Sequence, residues 1–202
     1  VLVDSEPVIT EAAIRTLREF GVSAREEDFK PFTGMGENRF IGGVAEKYGK
    51  PFAPEMKTRA YEIYGQIGDQ HLKVYAGTHG ALRALAGYKL ALASSADLVK
   101  VRHNLRVANI PFSTFQAMVT AEDVEHKKPD PAIFLKAAEK LGLPSARCVA
   151  IDDAIAGVQA GKAAGCYTIG VTTAFPAETL LRAGADCAIA EIGELPALLA
   201  RK

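Results

Sequence analysis

Apolar runs and helical stripes alternate through the last two thirds of the chain. Short runs at 88–94, 115–120, 147–151, 166–171 and 186–189 carry few polar residues, as strands buried on both faces do. Between them lie 97–107, 131–141, 154–164 and 176–183, where apolar residues recur at helical spacing; Ile133, Phe134, Ala137 and Leu141 share one face. Gly165 and Gly184 follow two of these stretches as C-terminal stops. The pattern predicts an α/β fold: a doubly wound parallel sheet with helices on both faces. Ligands of such sheets bind beyond the carboxyl ends of the strands.

The first third has no such alternation. Ile9, Ala13, Leu17 and Phe20 lie on one helical face, stopped at Gly21. Ser23-Ala24-Arg25-Glu26 reads as a capping box opening a second helix, and 36–48 and 54–64 continue the helical pattern. Four helices without a strand predict an all-helical cap at 8–75, inserted into a core made of 1–7 and 76–202. Val1-Leu2-Val3 reads as the exit of a strand.

Composition narrows the partners. Of 202 residues, 49% are hydrophobic and 24% charged, the balance of a globular protein with a sizeable core. Lys and Arg equal Asp and Glu at 24 each, so no net field favours nucleic acid, and no apolar run is long enough for a membrane segment. A small molecule is the expected partner. Cys148, Cys166 and Cys187 lack metal-ligand spacing and read as small core residues of a reducing compartment. The four histidines show no ligand spacing, and the Gly34 and Gly36 pair follows no strand, so neither suggests a metal or dinucleotide site. The start at Val1, without Met, fits a module of a longer polypeptide.

Three segments carry the chemistry. Asp152-Asp153 ends an apolar strand; two adjacent carboxylates repel unless a cation sits with them, and hard oxygen ligands suit Mg²⁺. The competing reading is a helix N-terminus, where Asp is favoured as a cap. Ser94-Ser95 ends another strand and offers a hydroxyl and backbone N–H groups to phosphate, though serine is also a routine N-cap. Lys128 stands before Pro129-Asp130-Pro131, whose prolines hold the backbone and aim its ammonium, whereas Lys127 reads as solvated.

Hydroxyl, lysine and acidic pair, in that order at strand ends, resemble the haloacid dehalogenase (HAD) superfamily of phosphohydrolases. Val1 to Pro7 looks like the tail of its first motif, DxDG-(V/T)-(L/I)-x-D-(S/T); Ser94 matches the second motif, and Lys128 within KPxP the third. Asp152-Asp153 with Ala154-Ile155-Ala156-Gly157-Val158-Gln159-Ala160 matches the fourth. The position of the insert resembles the β-phosphoglucomutase-like branch.

The resemblance implies an Asp nucleophile on strand one, an acid/base Asp two residues later, and Mg²⁺. It implies that Asp153 binds the metal directly and Asp152 binds it or its water. Ser94 with the N–H of Ser95 would hold phosphate, and Lys128 would tie phosphate to nucleophile. Both DxDG aspartates are expected just before Val1, and Asp4 does not replace them. Specificity is expected from the cap loop around Thr33, Met35 and Glu37.

A mutase of this branch carries a histidine where Ile9 stands and an arginine in the loop that here ends in Glu37. A carboxylate there would repel a second phosphate, which argues against a mutase. The Arg39 to Ala45 stretch also resembles the HAD module of plant and algal suppressor-of-quenching proteins, multidomain chloroplast proteins. The expectation is therefore a Mg²⁺-dependent phosphatase of a small phosphorylated metabolite, in cytoplasm or chloroplast. The alternative is a non-catalytic HAD-fold module of a larger protein. A receiver domain has its acidic pair first rather than last, and a dehalogenase needs no Mg²⁺.

Overall fold

The computed structural model describes residues 1–200. Strand β1 (Val3–Asp4) leads into helix α1 (Glu6–Glu19), with Pro7 in its first turn, where a missing N–H costs nothing. Val8, Ile9, Ala12, Ala13, Thr16 and Leu17 form its buried stripe. The helix ends at Gly21, whose φ of +81° lets the Val22 N–H turn back to Leu17 O at 2.8 Å.

The second helix expected after Ser23 is only a 3-10 turn, Glu26–Asp28, followed by another, Lys30–Phe32. The box itself is shifted: Asp28 closes back on the Arg25 N–H at 2.8 Å. Pro31 has no N–H to bond back to Glu27 O, so the turn does not continue as an α-helix. Helices α2 (Glu37–Lys47) and α3 (Pro54–His71) complete the helical part. Helix α3 packs along α1, and Phe29, Phe40, Ile41, Val44, Met56 and Tyr64 fill the cluster between the helices.

Strand β2 (Lys73–Val74) pairs antiparallel with β1, Val3 opposite Val74 and Asp4 opposite Lys73. This strand lies inside the stretch expected to be all helix. The alternation expected of a strand is invisible over two residues, and pairing with β1 alone defines it. The two passages of the chain between helical part and sheet are thus tied to each other.

From here helices and parallel strands alternate: α4 (Thr78–Ala84), β3 (Ala91–Ala93), α5 (Leu98–Val107), β4 (Ala117–Val119), α6 (Ala132–Lys140), β5 (Val149–Asp152), α7 (Ile155–Ala163), β6 (Tyr167–Val171), α8 (Ala177–Arg182), β7 (Cys187–Ile189) and α9 (Leu195–Leu199); β3 to β7 follow the sequence pattern, and α4 and α9 are helices it did not mark. Alternate residues face opposite layers. Ala150 and Cys166 pack towards α6 and α7, whereas Ile151 and Ile169 pack with α4 and α9.

One feature of the sheet departs from the expected continuous ladder. β3 pairs with β4, and β5–β6–β7 form a second ladder, with no pairing between β3 and β5. Leu2 packs against the clusters on both sides of this gap, so the Val1–Leu2 segment points into it.

Candidate active site

The acidic pair occupies the carboxyl end of β5. Asp152 is 8% exposed, and both its oxygens are engaged: Oδ1 accepts from the Ala154 N–H at 2.9 Å and Oδ2 from Lys128 Nζ at 2.7 Å. Gly157 makes room for it, because a Cβ there would fall 1.9 Å from Asp152 Cγ. Lys128 is equally buried, at 8%, with its ammonium 4.9 Å from the Phe134 ring centre, and its peptide bond to Pro129 is cis. The lysine predicted to be aimed is thus aimed at Asp152. Lys127 is exposed, as expected, and its ammonium also meets the carbonyls of Ala121 and Val124.

Asp153 is half-buried and faces the cavity. Its Oδ2 accepts from Thr173 Oγ1 at 2.8 Å, and the main-chain nitrogen of Val1 lies 3.0 Å away. Burial pushes this carboxyl up, and the Thr173 hydroxyl pulls it down. Ser94 ends β3; its Oγ accepts from the Ala96 N–H at 3.1 Å, and Ser94 and Ser95 line the same cavity.

The helical part presses on both strand ends. Gly34 and Gly36 have φ of +82° and +85°; a Cβ on Gly34 would sit 2.6 Å from Ala154 Cβ, and one on Gly36 3.2 Å from Ser95 O. Only glycine permits both that backbone and that approach. The turn therefore carries Thr33 and Glu37 over the acidic pair and the serines, into a cavity of about 980 Å³ that also reaches the gap between β3 and β5. Met35, the third residue expected here, is half-buried and not among the residues facing the cavity.

Glu37 differs from its expected role as a repelling carboxylate. It is 7% exposed, and its Oε1 accepts from Lys100 Nζ at 3.0 Å, so its charge is neutralised within the protein. The Tyr61 hydroxyl lies beside it, pushed far up by burial and then by that carboxylate. Lys100 sits on α5 with nothing in its own stretch to single it out; its partner is 63 residues away in the chain.

Two further residues went unnoticed in the sequence. Glu6 is exposed at the rim of the cavity and accepts from Thr33 Oγ1 at 3.2 Å. Thr173 reaches Asp153 from the loop after β6. Both owe their position to the fold rather than to spacing in the sequence.

The family model for haloacid dehalogenase-like hydrolases matches residues 1–171. The chain belongs to this family. It is 42% identical, over 96% of its length, to the chloroplastic Protein SUPPRESSOR OF QUENCHING 1 of Arabidopsis thaliana, of which it spans only 19%. It is 30% identical to 6-phosphogluconate phosphatase of Escherichia coli, over 81% of this chain and 75% of that protein. A solved β-phosphoglucomutase-type chain from Thermotoga maritima superposes with a TM-score of 0.76 at 28% identity, covering 100% of this chain and 94% of that one. The mixed α/β architecture is thus that of HAD hydrolases. Among the described residues no helix is long and apolar enough to cross a membrane.

In kind, the donors fit a hard divalent cation: two carboxylates on one turn and no soft ligand beside them. Among the described residues no three His, Cys, Asp or Glu side chains gather as a metal-binding group. Two protein carboxylates with water and phosphate in the remaining positions is the coordination that Mg²⁺ favours.

Proposed function

We propose that this chain is the core and cap of a Mg²⁺-dependent phosphatase that hydrolyses a small phosphate monoester. The observation that carries the reading is the Lys128–Asp152 pair at 2.7 Å, with Asp153 and Ser94 opening onto the same cavity. The pair is neutral as it stands, and Asp152 fixes the ammonium at the mouth of the sheet, where it would donate to a phosphate oxygen.

In this reading 8–75 acts as the cap, and the nucleophile is an aspartate expected in the segment before Val1. Its carboxylate oxygen would attack phosphorus, and the P–O bond to the alcohol would break, the alcohol leaving with a proton from a second aspartate. Water would then attack the aspartyl-phosphate and release inorganic phosphate. Ser94 Oγ with the Ser95 N–H would hold the non-bridging oxygens, and Lys128 would offset their charge. Asp153, with Asp152 beside it, would hold Mg²⁺, which when bound would neutralise the negative charge between nucleophile and phosphate. Thr33 and Glu37 would meet the leaving group, with Met35 acting from behind the loop.

Relatives named for phosphorylated carbohydrates, such as 6-phosphogluconate phosphatase, support a sugar or polyol monophosphate as substrate class. The similarity to a chloroplastic protein supports the chloroplast as compartment. The test is turnover by the polypeptide extended upstream of Val1, with Mg²⁺ and with EDTA, on p-nitrophenyl phosphate and a panel of sugar and polyol phosphates. Mg²⁺-dependent phosphate release that Asp153→Ala abolishes supports the reading. A folded, extended protein that releases none from any of them is instead a non-catalytic HAD-fold module.

A further inference from the structure

Cys148 and Cys166 stand just before β5 and β6 and Cys187 opens β7, and only the first two share a face. Parallel pairing sets Val149 opposite Tyr167, and the Tyr167 N–H donates to Cys148 O at 3.2 Å. Cys148 and Cys166 are therefore opposite one another, one residue below the first paired position. The same register puts Ala150 and Thr168 on their face: a Cβ on Gly161 of α7 would meet both at 2.8 Å. Both thiols belong to the apolar cluster under α6 and α7. Cys187 pairs instead with Ile169, whose side chain belongs to the opposite layer.

Neighbouring strands run about 4.7–4.9 Å apart, inside the Cα separation of roughly 4.4–6.8 Å that a disulfide spans. Cys148 is half-buried and Cys166 fully buried, so an outside reagent meets Cys148 first. We propose that Cys148 and Cys166 form a thiol–disulfide exchange site, with Cys148 as the attacking and Cys166 as the resolving thiol. The co-reactant is a small disulfide such as oxidised glutathione.

The Cys148 thiolate attacks one sulfur of that disulfide and expels a thiolate, leaving a mixed disulfide. The Cys166 thiolate then attacks Cys148 Sγ and expels the second thiol. The two protein thiols lose two electrons and two protons, and the small disulfide gains them as two thiols. Burial raises both protein thiols, Cys148 adding to the effect on Cys166, so exchange is slow at neutral pH. The product would clasp the amino ends of β5 and β6, opposite the end that carries Asp152-Asp153.

Trypsin separates the three cysteines, because cleavage after Arg147, Lys162 and Arg182 releases them in consecutive peptides, 148–162, 163–182 and 183–201. The natural full-length polypeptide, reduced and then exposed to oxidised glutathione at mildly alkaline pH, is alkylated and digested without reductant for mass spectrometry. The expected product is 148–162 joined to 163–182, lighter than their sum by two hydrogens and reversed by dithiothreitol, with 183–201 alkylated. Cys187→Ser leaves that product unchanged. Cys166→Ala stops the reaction at a glutathione adduct on 148–162. Recovery of both peptides alkylated, of separate glutathione adducts on each in the natural chain, or of either joined to 183–201 overturns the proposal. Circular dichroism of the two variants confirms that each digest comes from folded protein.

Discussion

Lys128 donates to Asp152 across 2.7 Å with both side chains nearly shut from solvent, so each is the other's main counter-charge. Of the acidic pair, Asp152 is the carboxylate that holds the lysine, and Asp153 is half-buried and open to the cavity.

Removing one partner of that pair should cost more than removing both. Lys128→Met leaves Asp152 buried without its cation and is expected to destabilise by about 3–5 kcal/mol, as for other broken buried ion pairs. Lys128→Met with Asp152→Leu should recover a large part of that loss. Urea midpoints of the two variants check this; equal losses would show that the carboxylate finds other partners.

Gly157→Ala drives a methyl group to within 1.9 Å of Asp152 Cγ and should displace the acidic pair, with a loss of several kcal/mol. Gly80→Ala provides the contrast, since nothing lies within 4 Å of a Cβ there and α4 is helical. It should stabilise by about 0.4–1 kcal/mol. Thermal denaturation of both variants reads the two signs directly.

Glu37 and Lys100 join helical part to sheet, and Lys57 with Asp97 at 2.8 Å and Tyr64 with Asn104 at 2.6 Å join the same two parts. A double-mutant cycle of Glu37→Gln and Lys100→Met should give a coupling of about 1–3 kcal/mol. A coupling near zero would mean that the two charges are solvated separately and that the loop is held by Gly34 and Gly36 alone.

Acid should weaken the helical part through Asp28. Its carboxyl is lowered to about 2 by Lys47 first, then by the Arg25 N–H and the Tyr48 hydroxyl. The depressed value means that the contribution is complete above the unfolded value of about 3.9 and disappears as pH falls towards about 2. Asp28→Asn should therefore lower the urea midpoint at pH 6 and leave it nearly unchanged at pH 2. An unaltered difference between wild type and variant across that range would show that Asp28 does not carry the linkage.

The order of strands and helices from residue 88 onwards was legible because each strand is buried on both faces and each helix on one, so burial repeats along the chain. Ser94 and Asp152-Asp153 were legible as polar residues where an apolar run stops, and Lys128 by the prolines that follow it. Local signals were misleading where a single proline or a distant pairing overruled them: Pro31 reduced the helix after Ser23 to two short turns, and β1 alone makes Lys73–Val74 a strand.

By itself the sequence determined the alternation of α and β, the strand-end position of Ser94 and Asp152-Asp153 and the mainly helical nature of the first third, all of which follow from hydrophobic periodicity within a few residues. Tertiary structure alone decided what each charge does. Lys128 is fixed on Asp152, Glu37 is neutralised by a lysine 63 residues away, Thr173 reaches Asp153, and two cysteines out of three come face to face. Such pairings depend on strand register and on where one layer meets the next. Charges find partners through space, and the spacing of residues along a chain does not record which parts of it will meet.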